Sequence, residues 1–455
     1  MNRRSFLGKI AHSWPLLSLP QKTMANSEDL QIAAIGVGGK GGSDLQHLAR
    51  HGKLIAACDI SKKKLDYALK NYPLAAKFSD YREMISHMGD KIDVLSISSP
   101  DHTHAHAAQL AIECGIHLFV QEPLAHTLWE VRQILKSAKE KKICTQTGLQ
   151  GCASDNFRQA IEYLRCGELG LVQEVHVWTN RPIWPQSPVW TNRPSDQLPI
   201  PKDLFWDGFI GPAEMRPYHK IYQPYNWRGW RAFGSGALGD TGVHLFNLPV
   251  MGCGLTDVQQ VDCLIRGPAN LETFSSWGIV KYLFSRGESG TRVPMYWYEG
   301  RIGHSSYDIL GKKNIPPIDL FLGRTPSPNG CLIIGSKGTL HSPSIFGTKW
   351  EVHKDRRWWQ SRELTLPDSK MAKNGRGDAG MKEELVQAIR SGKEELAMAN
   401  FSYSAQINEL TMLGNISLLA GGEFEWDSNL YLSNRTDVNK WLTKSYREGW
   451  AVNAA

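Results

Sequence analysis

What this chain of 455 residues has little of narrows its function before any motif is read. Its eight cysteines (Cys58, Cys114, Cys144, Cys152, Cys166, Cys253, Cys263, Cys331) include no C-x-x-C pair. That removes a zinc ribbon and a thioredoxin-like redox motif. Several sit inside apolar runs, as buried free thiols do, and free thiols are preferred over a Cys253–Cys263 disulfide, which an oxidising compartment would allow. No apolar run approaches the ~20 residues that a membrane-spanning helix needs, so no membrane anchor is expected. The formal charge of +7 is small for the length. Short basic runs at Lys62–Lys64 and at Lys139, Lys141 and Lys142 read as solvated helix ends, not as a nucleic-acid surface. Repeats and low-complexity tracts are missing too. An apolar content of 41% and a charged content of 21% are ordinary for a globular protein, and the length calls for two domains.

The first 28 residues read as a processing segment outside the fold. Asn2-Arg3-Arg4-Ser5-Phe6-Leu7-Gly8-Lys9 resembles a twin-arginine export signal. The apolar stretch behind it, Ile10 to Leu19, is short and broken by His12 and Pro15. Met24-Ala25-Asn26 is a tolerable cleavage region. A periplasmic location is expected; an uncleaved cytoplasmic extension is the alternative.

What the chain does contain begins at Ile32. An apolar, β-leaning run empties into Gly36-Val37-Gly38-Gly39-Lys40-Gly41-Gly42, with Gly36, Gly38 and Gly41 at G-x-G-x-x-G spacing. Ser43 to Arg50 then reads as a helix. Such glycines give a tight turn, close approach to a pyrophosphate and close helix–strand packing, while the helix N-terminus favours the phosphate charge. A second apolar run, Leu54 to Cys58, ends in Asp59, where a carboxylate can hold a ribose hydroxyl and disfavours the 2′-phosphate of NADP. NAD is the expected cofactor, held by Gly36, Gly38, Gly39, Gly41 and Asp59. A glycine turn in an unrelated α/β unit is the bland alternative.

From Gln31 to about Gly148, short apolar runs alternate with amphipathic helical stretches, the pattern of a doubly wound parallel sheet. Ile92 to Ile97 and Ile116 to Val120 read as strands. The turns after them, Ser98-Ser99-Pro100-Asp101-His102-Thr103-His104 and Gln121-Glu122-Pro123-Leu124, fall where ligands of such sheets bind. Ser99, Pro100 and Gln121 are therefore expected beside the nicotinamide. Beyond Gly151 a helix (Asp155 to Cys166) leads to a strand (Gln173 to Thr179) and then to an irregular stretch, Arg181 to Phe233, rich in Trp and Tyr. A loop of that length is usually functional, and flat rings suit sugar faces. Trp184, Tyr225, Trp227 and Arg228 are the candidates for substrate contact; pinning of the loop to the core is the equal alternative. Strands at Ile279 to Phe284 and Cys331 to Gly335, and helices at Met381 to Arg390 and Ser404 to Leu419, complete the reading.

Together these features resemble the Gfo/Idh/MocA family of NAD(P)-dependent, mostly sugar-acting oxidoreductases. The likeness is strongest to an exported bacterial subgroup marked by Trp178-Thr179-Asn180-Arg181-Pro182-Ile183-Trp184-Pro185 and Gly236-Ala237-Leu238-Gly239-Asp240. The resemblance implies an α/β fold: a Rossmann domain over residues 29–150, then an α/β domain over 151–455 with an open, largely antiparallel sheet that carries the substrate pocket and makes homo-oligomer contacts. It also implies a D-x-x-x-H pair, here Asp240 and His244, which would share one face of a helix. His244 is then the proton acceptor, with Asp240 beside it. A histidine near His104 stands beside the cofactor in relatives. The H-x-H-x-H run of His102, His104 and His106 lacks a fourth ligand at fitting spacing, and no metal is expected.

The chain departs from the family at its centre. Where relatives have an E-K-P turn, it has Gln121-Glu122-Pro123, so a carboxylate replaces the substrate-polarising cation. The subgroup's Asn-Gln-Gly-His stretch is Leu149-Gln150-Gly151-Cys152, and Asn247 stands where aspartate is usual. Three readings stay open. The first is hydride transfer on a sugar. The second is redox-neutral glycoside cleavage, as in NAD-dependent α-N-acetylgalactosaminidase-like relatives, with Glu122 as acid or base if burial raises its pKa. The third is a silent binding homologue.

Overall fold

A computed structural model describes residues 29–286, 291–302, 312–364, 371 and 373–452. The leader read at 1–28 lies outside them. Six parallel strands form the first sheet: β1 (Leu30–Ile35), β2 (Gly52–Cys58), β3 (Ala76–Phe78), β4 (Val94–Ile97), β5 (His117–Val120) and β6 (Thr145–Thr147), in the order β3-β2-β1-β4-β5-β6. Helices cover both faces, so the inner strands β1 and β4 are largely apolar and buried without alternation; Val94–Ile97 is buried at every residue. The helices start on local signals. Ser61 and Asp80 cap theirs through the side chain, and Thr127 with Glu130 forms a full capping box ahead of Leu128–Glu140.

The second sheet runs edge to edge through Arg357–Gln360, Glu351–Lys354, Gly338–Ser342, Asn329–Gly335, Val172–Thr179, Thr291–Ile302, Trp277–Arg286, Asp257–Arg266, Gly422–Asp427 and Leu432–Ser433. Lys312–Lys313 adds a short strand beside Thr291–Ile302. Its pairings are antiparallel except that of Val172–Thr179 with Thr291–Ile302, as the open antiparallel sheet predicts. Helix Gly377–Ser391 packs on helix Lys40–Leu48 of the first unit, and helix Phe401–Ala420 on Leu128–Glu140.

The long stretch from Arg181 to Phe233 builds a small core of its own from Trp206, Phe209, Tyr222, Trp230 and Phe233. The C-terminal tail turns back on the Rossmann unit, where Trp450 and Val452 are buried among its side chains. All eight cysteines are free thiols, so Cys253 and Cys263 do not pair. Among the described residues no helix is long and apolar enough to cross a membrane.

Candidate active site

The glycine turn is built as its spacing predicts. Gly36 has φ +74°, and a Cβ on it would stand 2.6 Å from the Ser98 carbonyl oxygen. A Cβ on Gly41 would collide with the carbonyl oxygen of Gly36. Gly39 has φ +55° with open space beside it, and the helix that begins at Lys40 has no side-chain cap. Gly41 N–H donates to the Gly38 carbonyl at 3.1 Å, and the other N–H groups of the first turn are left for an anion. Asp59 is fixed by the N–H groups of Val37 and Ser61, each 2.9 Å away. Its remaining lone pairs stand at the wall of a cleft of about 470 Å³, which Gly36, Gly38, Gly39, Gly41, Ser99 and Pro100 also line. Lys64 departs from the plain solvated reading: exposed as it is, its Cδ lies 2.8 Å from where a Gly38 Cβ would be, so a cation stands over the turn. These residues fit a dinucleotide. When bound, its pyrophosphate would lie on the glycine turn and its ribose against Asp59.

The other candidates divide. Tyr225, Trp227 and Arg228 reach the same cleft from the long loop. The Arg228 guanidinium lies 4.6 and 4.4 Å from the ring centres of Tyr225 and Trp227. Trp184 does not join them. It is fully buried, its indole N–H donates to Gln186 Oε1 at 2.7 Å, and Tyr225 packs edge-on against it. It anchors the wall from behind, because a ring that large gains more from burial than from a wet cleft.

Gln121 and His104 also lie behind the cleft. Gln121 Nε2 donates to Asp44 Oδ2 at 2.7 Å. Asp44 also takes Ser98 Oγ at 2.9 Å and forms a buried ion pair with Lys382 at 2.5 Å. His104 lies between the carbonyls of Ser99 and Pro123, at 2.7 and 2.8 Å, and so ties together the two turns expected to border the nicotinamide. Its neighbours are similarly engaged: His102 faces the carbonyls of Phe233 and Phe209, and His106 the Tyr81 hydroxyl. Burial pushes the imidazoles of His102 and His106 down to about 3.

At the catalytic positions the expected shared helix face is replaced by two separate pairs. Leu238–Gly242 forms a π turn that runs into Val243–Leu245, so four residues no longer bring two side chains into register. Asp240 Oδ1 accepts from Arg228 Nε at 2.8 Å. His244 instead meets Glu122, Nε2 to Oε1 at 3.1 Å, with Phe346 edge-on at 4.9 Å. With Glu122 as a carboxylate, which accepts and does not donate, the ring proton of a neutral His244 would sit on Nε2 and leave Nδ1 as the acceptor. Nδ1 of His244 and Oε2 of Glu122 are both buried and have no hydrogen-bond partner.

Two features escaped the sequence. Cys152 and Asn247 touch: Asn247 Nδ2 donates to Cys152 Sγ at 3.3 Å, and its Oδ1 accepts from Tyr403 at 2.6 Å. Burial pushes the Cys152 thiol up to about 12, which makes it an inert packing group. Asp101, in the turn after β4, is buried, and its desolvation outweighs the nearby Arg228 and lifts its carboxyl to about 7.

Residues 30–149 match the model of an oxidoreductase family's NAD-binding Rossmann fold, and residues 183–288 match that of the same family's C-terminal α/β domain. Inositol 2-dehydrogenase of Salmonella typhimurium is 28% identical over 153 residues, which are 32% of this chain and 45% of that protein. The chain therefore spans less than half the length of this curated relative. A glycosyl hydrolase family 109 protein of Shewanella pealeana is 28% identical over 171 residues, covering 30% of this chain and 37% of that protein. In fold, the chain resembles an inositol dehydrogenase homologue from Azotobacter vinelandii, solved with NADH and myo-inositol: TM-score 0.60, 14% identity, 88% of this chain and 98% of that one.

Proposed function

We propose that this chain, whose residues 30–149 and 183–288 match the two domain models of the Gfo/Idh/MocA oxidoreductase family, oxidises a carbinol carbon of a sugar or sugar derivative in an NAD-dependent reaction. The observation that carries this reading is the Glu122–His244 contact of 3.1 Å beside the cofactor turns. His244 takes the hydroxyl proton on Nδ1, and Glu122 holds the ring and stabilises the imidazolium that results, as the carboxylate of a catalytic triad does. In this arrangement the carboxylate at the family's lysine position acts on the imidazole and need not face the developing alkoxide. Asp240 and Arg228 position the substrate, with Tyr225 and Trp227 offering ring faces to the sugar. Bound NAD would supply the hydride acceptor and, in a redox-neutral cycle, return the same hydride.

That cycle is the second reading. The lysine-to-carboxylate change and the likeness to a glycosyl hydrolase family 109 protein favour it. Cleaving a glycoside by elimination needs one group to take a carbon-bound proton and one to give a proton to the leaving oxygen, and Glu122 and His244 are two such groups. Incubating the purified protein with free sugars and with aryl glycosides, while counting NADH and aglycone, tests both readings. NADH formed from a free sugar supports the first; aglycone released without net NADH supports the second. Neither product, from protein shown to bind NAD, would sink both and leave a silent homologue. Twin-arginine export, read at residues 2–9, and assembly into a homo-oligomer belong to the same proposal; cell fractionation and light scattering test them.

A further inference from the structure

A second cavity, of about 410 Å³, shares no lining residue with the dinucleotide cleft. Its walls come from the segment after β5, the end of the long loop, helix Phe401–Ala420 and the C-terminal tail. Five cationic side chains line it against two carboxylates. Both carboxylates are already engaged: Glu214 and Glu272 each bind Arg193, at 2.6 and 2.7 Å, and Glu272 also takes Arg216 at 3.3 Å. Lys444 is spent on Glu130 at 2.8 Å.

Arg231 and Lys440 are the surplus. Among the described residues neither has a carboxylate within ion-pair distance. Arg231 Nε is fixed by the carbonyls of Asn270 and Thr273, at 2.9 and 3.0 Å, and its Nη2 is buried without a partner. Burial pulls its guanidinium down to about 9, more than the attraction of Glu299 offsets. A partly buried cation without a counter-charge is costly, and a bound anion would remove that cost.

The two cations lie beside aromatic rings, the Arg231 guanidinium 4.4 Å from the Phe274 ring centre and Lys440 Nζ 5.2 Å from that of Trp441, and Met412 and Ile416 add apolar wall. The cavity's size is that of a small-molecule site. Flat aromatic surface beside unmatched positive charge suits a sugar ring bearing an anionic group. We propose that this cavity binds an anionic monosaccharide derivative, phosphorylated or carboxylated, at a site separate from the active site. The proposal does not depend on which reaction the Glu122–His244 pair performs.

Calorimetric titration of the full chain, saturated with NAD so that the dinucleotide cleft takes no phosphate, tests it. The probes are glucose 6-phosphate, glucuronate and, as the neutral control, glucose. One anion or both should bind saturably at a site that Lys440→Glu weakens, and glucose, which an NAD-loaded active site can also take, should show no binding that Lys440→Glu changes. Binding of the phosphate alone identifies a phosphorylated ligand, and of glucuronate alone a carboxylated one. Lys440→Glu, on the exposed rim, should weaken the anion about tenfold or more, and Arg231→Gln likewise, with NAD affinity unchanged in both. If Arg231→Gln fails to fold, Lys440→Glu still decides. Absence of saturable anion binding, glucose binding that Lys440→Glu weakens equally, or an anion affinity unmoved by Lys440→Glu would overturn the proposal.

Discussion

Glu122 Oε1 stands 3.1 Å from His244 Nε2, across 122 residues of sequence. The carboxylate of the Gln121-Glu122-Pro123 turn thus meets the histidine expected to take the proton. Removing either partner should cost turnover and spare cofactor binding. For His244→Ala and Glu122→Gln we expect losses of about 10²- to 10⁴-fold in turnover, with NAD affinity unchanged in a fluorescence titration. The double variant should be little worse than either single one, since the two act as a unit. Unchanged turnover in His244→Ala would dismiss the assignment.

Gly148 offers a way to disturb the pair without touching it. A Cβ there would collide with Gln121 Oε1 and Glu122 Oε2, both ends of side chains. Gly148→Ala should therefore move Glu122 and leave the fold standing. Turnover should drop by an order of magnitude or more (roughly 10-fold), while the unfolding midpoint moves little. A large fall in that midpoint would show that the site had no room to yield.

Gly41→Ala has no such escape, because its Cβ would collide with the backbone carbonyl of Gly36. Turn and helix must separate to admit it, and the phosphate-binding geometry goes with them. We expect loss of measurable NAD binding by equilibrium dialysis. Retained affinity would place the dinucleotide elsewhere.

Glu299 gives a pH signature. It is buried in the second sheet with only Trp297 Nε1, at 3.0 Å, as a side-chain donor. Burial raises its carboxyl from the ordinary 4.5 to about 8. A raised folded value means that its contribution to stability is fully present below about pH 4.5 and is lost as pH rises through about 8. Denaturant unfolding from pH 5 to 9 should show the wild type losing stability relative to Glu299→Gln across that window. Parallel curves would refute the assignment.

The Rossmann half was legible because its constraints are local. Gly36 and Gly41 are demanded by contacts within one turn and the strand beside it, and the covered sheet writes itself as apolar runs. His244 and Glu122 were legible as residues but not as a pair. The four-residue spacing of Asp240 and His244 suggested one shared face, and a π turn at Leu238–Gly242 gave each a different partner.

By itself the sequence determined the fold class, the dinucleotide turn and the oddity at Glu122, since these rest on backbone sterics and on residue identity over short spans. Tertiary structure alone decided that Trp184 is an anchor and not a sugar platform, that Cys152 and Asn247 answer each other, and that Lys382 neutralises Asp44 from 338 residues away. Whether a ring or a charge faces solvent, substrate or core is set by which distant segment packs over it, and no local pattern encodes that.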